Sequence, residues 1–116
     1  MIRIYGYQGC GTCRKAYKWL EEQGLEFEKV AIRETPPSRE EFAMALSKYE
    51  SIRKLFNTSG MDYRSMGLKD SLPGMSDEDA LDLLGSNGNL VKRPFVISGS
   101  TALVGFNEGD WSSALL

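Results

Sequence analysis

The sequence predicts one α/β domain that spans residues 1–116. Two observations predict a mixed sheet: a strand–helix–strand pattern in residues 2–32, and two short apolar segments joined by a tight turn in residues 95–104. Between them, from about residue 38 to 86, the apolar residues follow helical periodicity. A chain of this length can bury about two-thirds of its unfolded surface, so one core is sufficient.

The N-terminal segment has the pattern of a βαβ unit. Ile2–Tyr5 alternates apolar with polar or amphipathic side chains, as a short strand does. The next segment has apolar residues at i, i+3, i+4 and i+7, which are Cys13, Ala16, Tyr17 and Leu20. This spacing is the stripe of an amphipathic helix. Gly24 is expected just after the end of this helix, and residues 27–32 are the second strand. The crossover of such a unit is right-handed almost without exception.

Two capping sequences begin helices in the middle of the chain. Ser38 and Glu41 form a capping box, and Ser76 precedes acidic residues that suit the first turn of a helix. The residues of the second helix expected to face inward are Ala80, Leu83 and Leu84. Glycine and proline interrupt the pattern in residues 61–74, which predicts small turns there.

The last part of the chain returns to strands. Phe95–Ile97 and Ala102–Val104 are predicted strands, and Gly99–Ser100 suits a two-residue hairpin with glycine at its first central position. Asn107 is a candidate N-cap for a final helix that carries Trp111.

The two cysteines, Cys10 and Cys13, have the C-x-x-C spacing and lie where the first strand gives way to the first helix. The free N–H groups and the positive end of the dipole at a helix N-terminus favour an anion, and so the thiolate form of Cys10. Cys13 lies one turn later, on the core-facing stripe, where it can attack a disulfide formed at Cys10. Cys10 is therefore the predicted nucleophile and Cys13 the resolving thiol.

Other uses of two cysteines are less consistent with the sequence. They could be ordinary small buried side chains. A closed zinc site needs about four ligands, and the chain has no histidine and no other cysteine, so we expect no metal. A structural disulfide of a secreted protein is disfavoured because Met1-Ile2-Arg3 leads straight into the first strand, with no pattern of a signal peptide.

Composition limits the classes of partner. The formal net charge is −2 and no block of like charges occurs, so we expect no direct binding of nucleic acid. No apolar run approaches the roughly 20 residues of a membrane span, and a cytoplasmic protein without membrane association is expected. The absence of histidine also removes the usual general base, so the chemistry must depend on a thiolate that its surroundings stabilise.

Several further motifs occur in a fixed order along the chain. They are Cys10-Gly11-Thr12-Cys13-Arg14-Lys15-Ala16 with Trp19-Leu20, Leu55-Phe56-Asn57-Thr58-Ser59-Gly60 with Tyr63-Arg64, Val91-Lys92-Arg93-Pro94-Phe95-Val96, and Val104-Gly105-Phe106. With these motifs the chain resembles the arsenate reductase/Spx (ArsC-like) group of thioredoxin-fold proteins along nearly its whole length. The resemblance implies a thioredoxin-like fold, βαβ followed by ββα, with a helical insertion at about residues 38–86.

The resemblance also adds site residues. It implies that Pro94 is a cis-proline facing the cysteines, which turns Arg93 toward Cys10, where its guanidinium could hold an anion or stabilise the thiolate. The alternative for Arg93 is a solvated surface arginine. Thr12 could hydrogen-bond the Cys10 sulfur or cap the helix, and Arg14 could support the anion or point into water.

Three functions fit the resemblance. The favoured one is a thiol–disulfide oxidoreductase that binds no cofactor and uses glutathione, another small thiol, or a thioredoxin- or glutaredoxin-type reductant. The alternative is a redox-sensing regulator of the Spx type that binds RNA polymerase. The resemblance does not decide between an enzyme and a regulator. Arsenate reduction is disfavoured: family arsenate reductases place three arginines around the cysteine, whereas this chain keeps Arg93 and has Asn57 and Phe106 at the other two positions.

Overall fold

A four-stranded mixed sheet in the order β2–β1–β3–β4 lies at the centre of the computed structural model, which describes all residues from Met1 to Leu116. The strands are β1 (Ile2–Gly6), β2 (Phe27–Ala31), β3 (Phe95–Ser98) and β4 (Thr101–Val104). β1 is parallel to β2 and antiparallel to β3, and β4 is antiparallel to β3. This topology, a βαβ unit followed by a ββα unit, confirms the predicted thioredoxin-like arrangement.

Six α-helices surround the sheet: α1 (Gly11–Glu22), α2 (Arg39–Tyr49), α3 (Met61–Ser65), α4 (Leu68–Ser71), α5 (Asp77–Ser86) and α6 (Glu108–Leu115). Short 3₁₀ turns occupy Ile52–Leu55, Leu72–Gly74 and Gly88–Leu90. No helix has the length and apolarity that crossing a membrane requires.

The predicted helix caps and the predicted turn between β3 and β4 are observed. Gly24 has a φ of +69° just after α1, and Gly99 has a φ of +59° in the two-residue turn between β3 and β4. The side chains of Ser38, Ser76 and Asn107 cap α2, α5 and α6.

Two details of the helical insertion differ from the sequence prediction. Residues 61–74 form short helices rather than only turns, because Gly67, with a φ of +65°, separates two helical segments without ending the helical winding altogether. In α5, Leu81 is buried with Ala80 and Leu84, whereas Leu83 is only partly buried. The inward face of α5 is therefore rotated relative to the predicted stripe.

The sheet has a separate core on each face, because successive strand residues point to opposite sides. Ile4 belongs to the core formed with α1 and α6, which contains Trp111. Tyr5 belongs to the core formed with the helical insertion, which contains Phe42. The helices α1 and α6 thus cover one face, and the insertion covers the other.

A buried carboxylate joins the insertion to the central strand. Glu41 accepts hydrogen bonds from the Tyr5 hydroxyl at 2.8 Å and from the Ser38 amide at 2.9 Å, and it also pairs with Arg3. Burial, together with the bond to this carboxylate, raises the pKa of Tyr5 to about 12. Glu41 therefore has two roles, since it completes the capping box of α2 and attaches that helix to β1.

We predict that Glu41→Ala lowers the free energy of unfolding by about 2–3 kcal/mol, because the buried Tyr5 hydroxyl and the Ser38 amide lose their acceptor. The matched control is Glu40→Ala, which removes an exposed carboxylate from the same helical turn and should cost less than about 1 kcal/mol. Urea denaturation of both variants measures the difference. Equal midpoints for Glu41→Ala and the unmodified protein would contradict this role.

Candidate active site

Cys10 is the N-cap residue of α1. Its backbone is extended, with φ −89° and ψ 113°, and its sulfur accepts a hydrogen bond from the Cys13 amide at 3.3 Å. The Cys10 amide donates to the Tyr7 carbonyl at 3.2 Å, which closes the loop in front of the helix. The side chain is half-buried. Cys10 thus caps the helix with a half-buried side chain whose sulfur accepts from a free helix amide.

Cys13 has the opposite environment. Its side chain has 0% exposure, and the thiol is free, as is that of Cys10. Burial, and then the hydrogen bond to the Cys10 sulfur, raise the pKa of the Cys13 thiol to about 12, whereas the Tyr7 amide and the charge of Arg93 act in the other direction. At neutral pH Cys13 therefore keeps its proton. The Cys10 sulfur and the Cys13 sulfur thus differ in burial.

Gly6 allows β1 and α1 to approach at this point. A Cβ atom on Gly6 would lie 2.7 Å from the Cys13 sulfur and 2.9 Å from the Tyr17 hydroxyl oxygen, both closer than real contacts allow. Burial, and then the charges of Cys13 and Cys10, raise the pKa of Tyr17 to about 12. The Tyr17 hydroxyl therefore stays protonated beside the cysteines. The sequence analysis identified Tyr17 only as part of the apolar stripe of α1.

Arg93 lies against the cysteine loop. Its peptide bond to Pro94 is cis, and Pro94 is buried at the start of β3. The Cζ atom of Arg93 lies 4.5 Å from the centre of the Tyr7 ring, and its charge lowers the pKa of Cys13. The Nη1 atom is buried and has no hydrogen-bond partner. Arg93 therefore lies on Tyr7, close enough to Cys13 to act on its pKa, with one donor that no protein group uses.

Arg14 and Thr12, the two candidate residues in the first turn of α1, have surroundings that differ from those of Arg93. Arg14 donates through Nη1 to the Gln8 carbonyl at 2.8 Å, so it braces the loop that precedes Cys10. Thr12 is exposed and lines a cavity of about 280 Å³ together with Arg93 and Phe106. The hydrogen bond on the Cys10 sulfur comes from the Cys13 amide.

A second cavity lies on the other side of Arg93. We call it the Tyr7 cleft; its volume is about 410 Å³, and its walls include Tyr7, Arg33, Asn57, Asp62, Asn89 and Arg93. Asn57 and Phe106, the two positions that the resemblance aligns with arginines, are in separate cavities, Asn57 in the Tyr7 cleft and Phe106 in the cavity of Thr12. Arg33 was not identified from the sequence, because no motif or periodicity connects it to Arg93.

No metal ligand set accompanies the cysteines. The structure contains no group of three or more histidine, cysteine, aspartate or glutamate side chains that could hold an ion. The chemistry that this arrangement supports is that of two thiols with different access and an adjacent guanidinium.

A family model and several curated relatives match nearly the whole chain. The family model described as "ArsC family" matches residues 5–114. The uncharacterized protein YusI of Bacillus subtilis is 48% identical over 111 residues, which are 95% of this chain and 94% of YusI. The regulatory protein MgsR of Bacillus subtilis is 31% identical, covering 94% of this chain and 86% of MgsR. The global transcriptional regulator Spx of Enterococcus faecalis is 30% identical, covering 95% and 83%.

Solved structures give the same result. A protein of Bacteroides fragilis that is described as related to the ArsC family has a TM-score of 0.90 and 38% identity, over 97% of this chain and 95% of that one. A possible arsenate reductase of Streptococcus mutans has a TM-score of 0.88 and 33% identity, over 97% and 98%.

We predict that the free energy of unfolding falls as pH rises into the alkaline range, because the buried Cys13 thiol must hold its proton in the native state. The native pKa of about 12 exceeds the value of about 8.5 in an unfolded chain, so the native state holds the proton more tightly. This contribution is fully present below about pH 8.5 and is lost as pH rises toward the native value. Urea denaturation at pH 7, 9 and 10 should show a decline for the unmodified protein that is smaller for Cys13→Ala. Parallel pH profiles of the two proteins would show that Cys13 does not hold this proton.

Proposed function

The chain belongs to the ArsC family, and from that membership we propose that it is a thiol–disulfide oxidoreductase in which Cys10 is the nucleophile and Cys13 the resolving thiol. The proposal depends most on one observation. The half-buried Cys10 sulfur lies at the N-terminus of α1 and accepts from the Cys13 amide, while the Cys13 side chain is fully buried.

The reaction has two exchange steps. The Cys10 thiolate attacks one sulfur of a substrate disulfide, forms a mixed disulfide, and releases the other substrate sulfur as a thiolate. The first thiolate takes a proton from solvent. Cys13 then attacks the Cys10 sulfur, which breaks the mixed disulfide, and the second substrate sulfur leaves as a thiolate that takes up the Cys13 proton. The substrate disulfide is reduced to two thiols, and Cys10 and Cys13 are oxidised to one disulfide.

A second thiol system must return the protein to its reduced form. We propose glutathione, another small thiol, or a thioredoxin- or glutaredoxin-type protein as this reductant, and no bound cofactor. Such exchange needs a compartment in which thiols are kept reduced, so we place the activity in the cytoplasm.

Arsenate is a weaker candidate substrate. Of the three arginines that family arsenate reductases place around the cysteine, Arg93 alone remains, and Asn57 and Phe106 carry no charge. Each missing charge-assisted hydrogen bond would contribute about 1.5–3 kcal/mol to holding an oxyanion.

A redox-sensing regulator that binds RNA polymerase is the second candidate function. The names of two relatives, the regulatory protein MgsR and the global transcriptional regulator Spx, favour it. The same pair of cysteines would serve as the sensor, with the Cys10–Cys13 disulfide as the signal.

We predict that Cys13→Ser accumulates a mixed disulfide on Cys10, because the second exchange step is removed. Intact-protein mass spectrometry after addition of a small disulfide, such as glutathione disulfide, should show one adduct per chain. The unmodified protein should instead lose two mass units as Cys10 and Cys13 pair. Cys10→Ser is the control and should form no adduct at neutral pH, because Cys13 is buried and protonated. Equal adduct formation by both single variants would remove the assignment of roles.

A further prediction separates the enzyme from the regulator. With glutathione or thioredoxin present, the enzyme should turn over a disulfide many times per chain, and Arg93→Gln should slow it by about tenfold or more through loss of a charge-assisted contact. Turnover of disulfide and of arsenate should be measured beside a pull-down with RNA polymerase. A single turnover combined with polymerase capture that depends on the oxidation state would favour the regulator instead.

A further inference from the structure

Two guanidinium groups contact the same aromatic ring at the edge of the candidate active site. The Cζ atom of Arg33 lies 4.0 Å from the centre of the Tyr7 ring, and that of Arg93 lies 4.5 Å from it. Arg33 also donates through Nε to the Asn89 side-chain oxygen at 2.7 Å. The aromatic ring and the amide thus orient two cations toward one cavity, the Tyr7 cleft.

Neither cation has an acidic partner. The ion pairs of the protein are formed by Arg3 and Arg39. Asp62 is the one acidic residue in the wall of the cleft, and its Oδ2 accepts a hydrogen bond from Asn87 at 2.9 Å. The Nη1 atom of Arg93 is buried without any partner. The cleft therefore has an excess of positive charge, and one of its two cations, Arg93, has a donor that no protein group satisfies; both features favour a bound anion.

Tyr7, which lines the cleft, belongs to the loop that leads to Cys10. The Tyr7 carbonyl accepts from the Cys10 amide at 3.2 Å, and the Tyr7 amide and the charge of Arg93 both act on Cys13. A molecule that reacts at Cys10 could therefore extend into the cleft. The volume of about 410 Å³ is in the range of small-molecule sites.

We propose that the Tyr7 cleft binds a carboxylate of the substrate, so that the protein acts on low-molecular-weight disulfides whose halves carry a carboxylate beyond the sulfur. This proposal rests on the proposed function for the reaction at Cys10, but the binding itself does not require that reaction. Arg93 and Arg33 hold the carboxylate, since a guanidinium matches its two oxygens with parallel N–H donors. Arg33 determines specificity and takes no part in the sulfur exchange.

The kinetic test compares two disulfides of similar size. Dithiodipropionate ends in carboxylates, whereas bis-hydroxyethyl disulfide ends in neutral hydroxyls. With Cys13→Ser, which stops after the first exchange, the rate constant for adduct formation should be higher for dithiodipropionate. Adding Arg33→Gln should lower that rate by about tenfold or more and leave the rate with the neutral disulfide unchanged. Arg64→Gln, which removes the same charge from an exposed position on α3, should change neither rate.

A binding test does not depend on any reaction. In Cys10→Ser, titration with dithiodipropionate should shift the NMR signals of the Tyr7, Arg33 and Asn89 amides, with affinity about tenfold or more above that for bis-hydroxyethyl disulfide. Arg33→Gln in this background should remove the preference, and Arg64→Gln should retain it. Equal affinity for the two disulfides, or no change at the cleft, would overturn the carboxylate site. If binding shows the preference but neither disulfide forms an adduct on Cys13→Ser, the site stands and the proposed function fails.

Discussion

The contact between Gly6 and Cys13 is the constraint on which the site depends. The Cys13 sulfur occupies the space where any larger residue at position 6 would place its Cβ, so β1 and α1 can approach only because Gly6 has no side chain. That approach buries Cys13, and burial is the largest cause of its raised pKa. It also leaves Cys10 outside the contact, at the accessible end of the helix. The absence of a side chain at Gly6 therefore allows two thiols three residues apart to differ in burial.

A second close approach positions the anion-binding side of the site. A Cβ on Gly88 would lie 2.1 Å from the Ile32 carbonyl oxygen, so this glycine lets the helical insertion pack directly on the chain that follows β2. The next residues on the two segments, Asn89 and Arg33, are thereby joined by a hydrogen bond. The insertion thus supplies one wall of the Tyr7 cleft, while the segments after β1 and β2 and the residue pair before β3 supply Tyr7, Arg33 and Arg93. Its place beside the sheet is fixed in turn by the Glu41 carboxylate.

The sequence was informative where neighbours in the chain are also neighbours in space. The βαβ unit, the capping box at Ser38 and the different settings of the two cysteines all follow from local spacing. The cis bond at Pro94 required the family resemblance, because its local sequence does not distinguish it from an ordinary proline. The pairing of Arg33 with Arg93 across the Tyr7 ring could not be predicted, since it depends on how three separate segments meet. Periodicity also failed in α5, where tertiary packing rather than the ideal stripe decides that Leu81 is buried in place of Leu83.

In the reaction that we propose, the causes of the raised Cys13 pKa would also favour one order of the two exchange steps. Two of them, the hydrogen bond to the Cys10 sulfur and the charge on that sulfur, exist only while Cys10 is free. Once Cys10 is held in a mixed disulfide it carries no charge, and both causes disappear. Burial then remains, opposed by the Tyr7 amide and the Arg93 guanidinium, which favour the Cys13 thiolate. The Cys13 thiol is therefore harder to ionise before Cys10 reacts than afterwards. In the proposed reaction it does not compete with Cys10 for the substrate, and formation of the mixed disulfide makes it easier to ionise. In this arrangement Arg93 serves both steps, since the cation that faces the substrate also stabilises the sulfur that displaces it.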